Sequence, residues 1–115
     1  MTPDQQIEQI ELSIEQAKSS IDMRDALRRL NENKDFKKVI VEGYFEKEAS
    51  RVVLLKADPN TQDTETQDAL DKSIIAIGQL RQYMRTIFQV GGMADGAMGS
   101  HEEALEEIHS DAIEV

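Results

Sequence analysis

The sequence predicts an all-α fold: a three-helix bundle of long helices, then a flexible linker and a short acidic C-terminal helix. Three observations carry this. Apolar residues recur at helical spacing through three long stretches. Turn-forming residues separate those stretches, Asn-Glu-Asn at 31–33 and Asp-Pro-Asn at 58–60. Residues 91–115 begin with a glycine-rich run and then hold a patterned acidic segment.

The first helix is predicted from about residue 3 to residue 30. Thr2 is a good N-cap, Pro3 suits the first helical position, and Asp4 places negative charge where the helix dipole favours it. Ile7, Ile10, Ile14, Ala17 and Ile21 follow in steps of three and four, a heptad seam over two repeats. After Ile21 the register shifts, and Met23, Leu27 and Leu30 continue the stripe. The isoleucines Ile7, Ile10, Ile14 and Ile21 form either the core face of a bundle or a seam for a partner helix.

Asn31-Glu32-Asn33 reads as the first break, with Asp35 capping the helix that follows. In that second element Phe36, Ile40, Val41, Tyr44, Phe45, Ala49, Val52, Val53 and Leu55 make a broad apolar face. Gly43 is its weak point, since glycine costs about 1 kcal/mol inside a helix. A β-hairpin joining KVIV to YFEK at Glu42-Gly43 competes, because Val and Ile favour strands. The Glu/Lys/Ala-rich continuation fits a period of 3.6 better than 2.

The stretch ADPNTQDTETQD is a loop, and Thr64-x-x-Gln67 resembles a capping box for the third helix. Leu70, Ile74, Ile77, Leu80, Met84, Ile87 and Phe88 form its stripe, which Arg81 interrupts. Gly91-Gly92 is expected to stop it. With four glycines and two methionines in 91–99, residues 91–100 are expected to be a flexible spacer. Ser100-x-x-Glu103 resembles a second capping box, and Leu105, Ile108 and Ala112 then share one face. The organisation expected is a helical domain over 1–90, a linker over 91–100 and an acidic amphipathic segment over 101–115. That segment, too short to hold a helix alone, reads as a tethered peptide for a partner groove, or as a solubilising end.

Charge is unevenly spread. Residues 1–27 hold six acids and two bases, and residues 28–56 hold five acids and eight bases. Residues 57–90 hold five acids and three bases, and residues 91–115 hold seven acids and no Lys or Arg. The net charge of −10 argues against nonspecific nucleic-acid binding and against docking on anionic membranes. The one basic cluster is Arg28, Arg29, Lys34, Lys37 and Lys38. It either receives an acidic partner, including the chain's own tail, or pairs with Glu32, Asp35 and Glu42.

Catalytic chemistry has no constellation to rest on. The chain has no cysteine, which excludes disulfides and thiol chemistry. His101 and His109 stand eight apart, too far along a helix to face one ion, and His101-Glu102 is followed by Leu105 where a zincin motif needs histidine. Asp58, Asn60 and Asp63 lack the glycine and terminal glutamate of a calcium loop. No nucleophile elbow is present. The expectation is a non-enzymatic protein without cofactor or metal. The polar N-terminus MTPDQQIEQIE has no apolar core of a signal peptide, and the longest apolar run is Val52-Val53-Leu54-Leu55, so a soluble intracellular protein is expected.

The stretch ALRRLNENKDFKKVIVEGYFEKEASRVVLLKADPN resembles small helical proteins of tailed bacteriophages. The features are an Ala-Leu-x-x-Leu helix end, the Asn turn, Asp-Phe-Lys, Gly-Tyr-Phe, Glu-Ala-x-Arg and a closing Ala-Asp-Pro. The resemblance covers roughly residues 15–90. It brings no catalytic residues and implies a setting, the host cytoplasm or the virion, and a role in virion structure or assembly. The function expected is an interaction protein that packs helices against protein partners, including copies of itself. The alternative is an acidic inhibitor that imitates nucleic acid to block a host nucleic-acid-binding protein.

Overall fold

The computed structural model describes residues 2–114, with side chains through Asp111. Among the described residues there are three long helices and no strand. The hairpin reading of residues 38–47 is thereby excluded.

Helix α1 spans Pro3–Glu32. Its start matches the sequence signals. The Thr2 amide donates to Gln5 Oε1 at 2.9 Å, and the Gln5 amide donates to Thr2 Oγ1 at 3.2 Å. This reciprocal cap satisfies two amides that the helix leaves without partners. The helix passes through Asn31, which the sequence marked as the start of the break. Asn33 ends it and caps the next element: its Oδ1 accepts from the amides of Asp35 and Phe36, both at 3.0 Å. The capping role expected of Asp35 thus belongs to Asn33.

Helix α2 covers 34–57 in three windings. An α-turn at Lys34–Phe36 leads into a π-helical stretch, Lys37–Glu48, and an α-helical end, Ala49–Ala57. Gly43 sits in the π-helical stretch. A Cβ added there would stand 3.0 Å from the Lys38 carbonyl oxygen, a backbone atom that cannot swing away. An exposed helical Gly→Ala change ordinarily gains about 1 kcal/mol. At Gly43 the crowding reverses the sign, and Gly43→Ala is expected to lower stability by roughly 1 kcal/mol in a chemical-denaturation titration. A gain of that size would show that residues 37–48 adopt the narrower α winding in solution.

The 58–63 corner is tied by side chains. The last carbonyls of a helix need outside donors. Gln62 Nε2 donates to the Lys56 carbonyl at 3.0 Å and to that of Asp58 at 2.7 Å. Gln67 Nε2 donates to the Lys56 and Thr61 carbonyls at 3.1 and 2.9 Å, and Thr61 Oγ1 donates to the Leu55 carbonyl. Lys56 Nζ donates to Gln67 Oε1 at 3.0 Å and pairs with Asp71. So Gln67, read as half of a capping box, is spent on the corner.

Asp63 caps helix α3, Thr64–Glu114, instead of Thr64. Its Oδ2 accepts from the Thr66 amide at 2.9 Å and from Thr66 Oγ1 at 2.8 Å. The amide bond first, then the hydroxyl, holds the Asp63 carboxyl below its ordinary value. Glu48 is lowered likewise, chiefly by its hydrogen bond from Arg51. A carboxyl depressed in the folded state adds stability above its unfolded value and loses it as pH falls through the folded value. The thermal midpoint is therefore expected to fall as pH drops below about 4. Asp63→Asn keeps a capping oxygen but cannot titrate, so its acid limb is expected to be shallower.

The largest departure from the sequence reading lies in 91–100. The run expected to be a flexible spacer is helical, and the expected separate acidic helix is the end of α3. All glycines there keep negative φ, and once a helix exists each further residue avoids the nucleation penalty. Ser100 and Glu103 accordingly lie inside a helix rather than at a cap.

Contacts divide the chain into two compact units. One comprises residues 1–27 and 87–115, the other Arg28–Thr86. Among the described residues the buried hydrophobic ones are Ala17 and Leu27 in the first, Val52 and Ile77 in the second.

Candidate functional site

The unit formed by 1–27 and 87–115 holds most of the residues that the sequence singled out. Two helical segments run antiparallel in it. Near one end Arg24 Nη1 pairs with Asp95 at 3.0 Å and also reaches the Gly91 carbonyl at 3.5 Å. Toward the other end Gln6, Gln9, Ile10 and Ser13 face Ala104, Glu107, Ile108 and Asp111 across a groove.

The seam is legible on both segments. Ile7, Ile10, Ile14 and Ile21 of α1 are half-buried, with Ala17 buried between them. On α3, Ile87, Ala94, Met98, His101, Leu105 and Ile108 are half-buried, with Gly91 buried. Their spacing from Ile87 is 4, 3, 4, 3, 4, 3, a heptad that passes straight through the glycine run. The structure thus brings Ile10 and Ile108 together in one groove, and places Leu105 one turn from Ile108 on the same face. Ala112, expected on that face, has its side chain outside the described residues. His101 lies half-buried on the seam, and His109 is exposed.

Sequence reasoning missed Gly91, Arg24 and Asp95. At Gly91 the two helices approach closely. A Cβ there would fall on the Cβ of Arg24, with Cγ and Cδ at 3.0 Å. Glycine is required for that approach, and its isolated reading as a helix stop hid it. Arg24 is only 12% exposed at its side chain and pairs with Asp25 as well as Asp95. The hydrogen bond it donates to Asp95, then that to Asp25, raises its pKa above the ordinary value, so it remains a cation throughout. The overlooked signal was the 3-4 spacing itself.

The basic cluster lies in the other unit. Arg28, Arg29, Lys34, Lys37 and Lys38 are all exposed. Residues 1–27 carry six acids and two bases, and residues 87–115 carry seven acids and no base, net −11 for that unit. Residues 28–86 carry ten acids and eleven bases, net +1. The whole negative excess therefore belongs to the paired segments.

No protein-family model matches the chain, no curated protein matches its sequence, and no solved structure matches it. Function must be read from the two units alone. Among the described residues no three His, Asp or Glu converge as a metal site would require, and no helix is long and apolar enough to cross a membrane. A seam, a groove and a segregated charge are arrangements suited to packing helices.

Proposed function

We propose that the protein is a non-enzymatic interaction protein that acts by helix packing and self-associates through residues 28–86. One observation carries this reading. Among the described residues four hydrophobic side chains are buried, whereas eleven large ones are exposed. A core that small leaves apolar surface of the kind that marks interaction sites. Val39, Val53, Leu54, Ile75 and Tyr83 of the near-neutral unit are all more than half exposed, Leu54 at 71%. A unit of net +1 meets a copy of itself without strong repulsion, whereas a unit of net −11 does not. In this reading the bundle expected from three amphipathic helices is completed between chains. The resemblance to small phage proteins supplies the setting, virion structure or assembly.

The test is solution mass by light scattering on the full chain and on Leu54→Glu. The substituted side chain is exposed, so the fold tolerates it. A defined oligomer that Leu54→Glu dissociates supports the reading. A monomer at all concentrations overturns it.

A second reading, an acidic inhibitor imitating nucleic acid, is favoured by the charge segregation. Residues 28–56, whose five acids and eight bases count against it, fall in the other unit. It requires the full chain to displace duplex DNA from a basic DNA-binding domain in a competition assay.

A further inference from the structure

We propose that the groove between the two acidic segments receives a basic amphipathic helix of a protein partner, completing a three-helix packing. The proposal rests on the reading of a helix-packing interaction protein but concerns a different surface from the one that self-associates. The groove has an apolar floor, Ile10, Ala104 and Ile108, and offers about 560 Å³ of space open to solvent. Each floor residue is only half-buried. Two antiparallel helices cover each other's apolar stripes on one side and leave the flank open. Ala104 is small, so the floor dips where a third helix could insert a large side chain, as a knob enters a hole.

The wall chemistry selects the occupant. Glu107 and Asp111 form one wall, and Glu103 continues it one turn earlier. The three stand at i, i+4 and i+8 on α3, and all are exposed. Like charges at i, i+4 destabilise their own helix. None of the three makes an ion pair or hydrogen bond with the described chain. Gln6, Gln9 and Ser13 on the opposite wall are neutral and supply no counter-charge. A second copy of this unit would bring another net −11 against the first and is disfavoured. A helix with apolar residues at i, i+3, i+4 and i+7 and Lys or Arg along its edge satisfies both floor and wall. Complementary charge would also speed encounter.

The test is fluorescence anisotropy of the full chain with a labelled, amidated 15-residue peptide of Leu and Lys at heptad spacing. The control is a peptide of the same composition with its order scrambled so that no apolar face exists. The expected result is at least tenfold tighter binding of the face-bearing peptide. Glu103→Gln/Glu107→Gln/Asp111→Asn, all at exposed positions, is expected to weaken it tenfold or more, and Ala104→Leu to weaken it by filling the floor. Equal binding of both peptides would overturn the proposal, since charge alone would then suffice. So would unchanged affinity in the triple variant, or no binding at low salt. Displacement of DNA from a basic domain without binding of the peptide would assign the acidic unit to mimicry instead. Solution mass tests the self-association surface independently, so either reading can fail without the other.

Discussion

Gly91→Ala is expected to destabilise the paired segments by about 1–3 kcal/mol, the usual range for forcing extra atoms into a packed contact. The added methyl would fall on the Cβ of Arg24, a position fixed by the α1 backbone. Neither helix can absorb it by a rotamer change, so the segments must move apart and strain the Arg24–Asp95 pair. The same substitution at Gly92, Gly96 and Gly99 meets nothing within 4 Å. Each of those is expected to gain about 0.5–1 kcal/mol, because alanine loses less backbone freedom than glycine on entering a helix. Gly78 also meets nothing within 4 Å and lies in the undisputed part of α3, so Gly78→Ala calibrates the gain. Chemical denaturation of the five single variants checks the pattern: a loss at 91 and gains at the rest. A spacer without structure would give no change at 91, 92, 96 and 99.

Val52→Ala is expected to cost roughly 2 kcal/mol, a value between the Ile→Val and Leu→Ala ranges for buried positions. Val52 is 1% exposed, the most completely buried large side chain described. It lies in the α-helical end of α2, three residues before Leu55, whose carbonyl accepts from Thr61 at the corner. Val53→Ala, at 55% exposure, is expected to change monomer stability by less than about 0.5 kcal/mol. A large loss at Val53 in a dilute monomer would place that face inside the fold rather than on the proposed self-association surface.

The helices themselves were legible because their signals are local. Thr2-Pro3-Asp4 announces a helix start wherever it packs, and Asp58-Pro59 bars a helix from continuing through it. The caps were legible in kind but misplaced by a residue or two. Asn33 rather than Asp35, and Asp63 rather than Thr64, hold the free amides, since any of these short polar side chains can serve. The π-helical winding around Gly43 was not legible, because apolar spacing does not separate 3.6 from a slightly wider turn over twelve residues.

The glycine run was misread for a physical reason. Helix propensity treats each glycine as a loss, and four in nine residues sum to an apparent spacer. Propensity is a weak term against tertiary contact, and Gly91 is the residue that allows the contact. The heptad through Gly91, Ala94, Met98, His101 and Leu105 was visible in the spacing, but small residues carry little hydrophobicity and did not register as a stripe. Of the candidate site, Ile7, Ile10, Ile14, Ile21, Leu105 and Ile108 were named from their spacing as partner-facing apolar residues, and the structure half-buries all six. Their mutual pairing was not named, because the sequence offers no distance between residues nearly a hundred positions apart. The basic cluster was visible, yet its assignment to a separate near-neutral unit needed the structure.

The central claim is that residues 91–111 form helix packed on α1 and are not a tethered peptide. Amide hydrogen exchange, read by mass spectrometry on peptides covering 91–100, tests it most directly. Hydrogen-bonded amides in a packed helix exchange only when the helix opens. The expected result is slowed exchange across 91–100, lost selectively in Gly91→Ala. Exchange at the rate of an unstructured chain in the parent protein would contradict the pairing, and with it the groove between the two acidic segments.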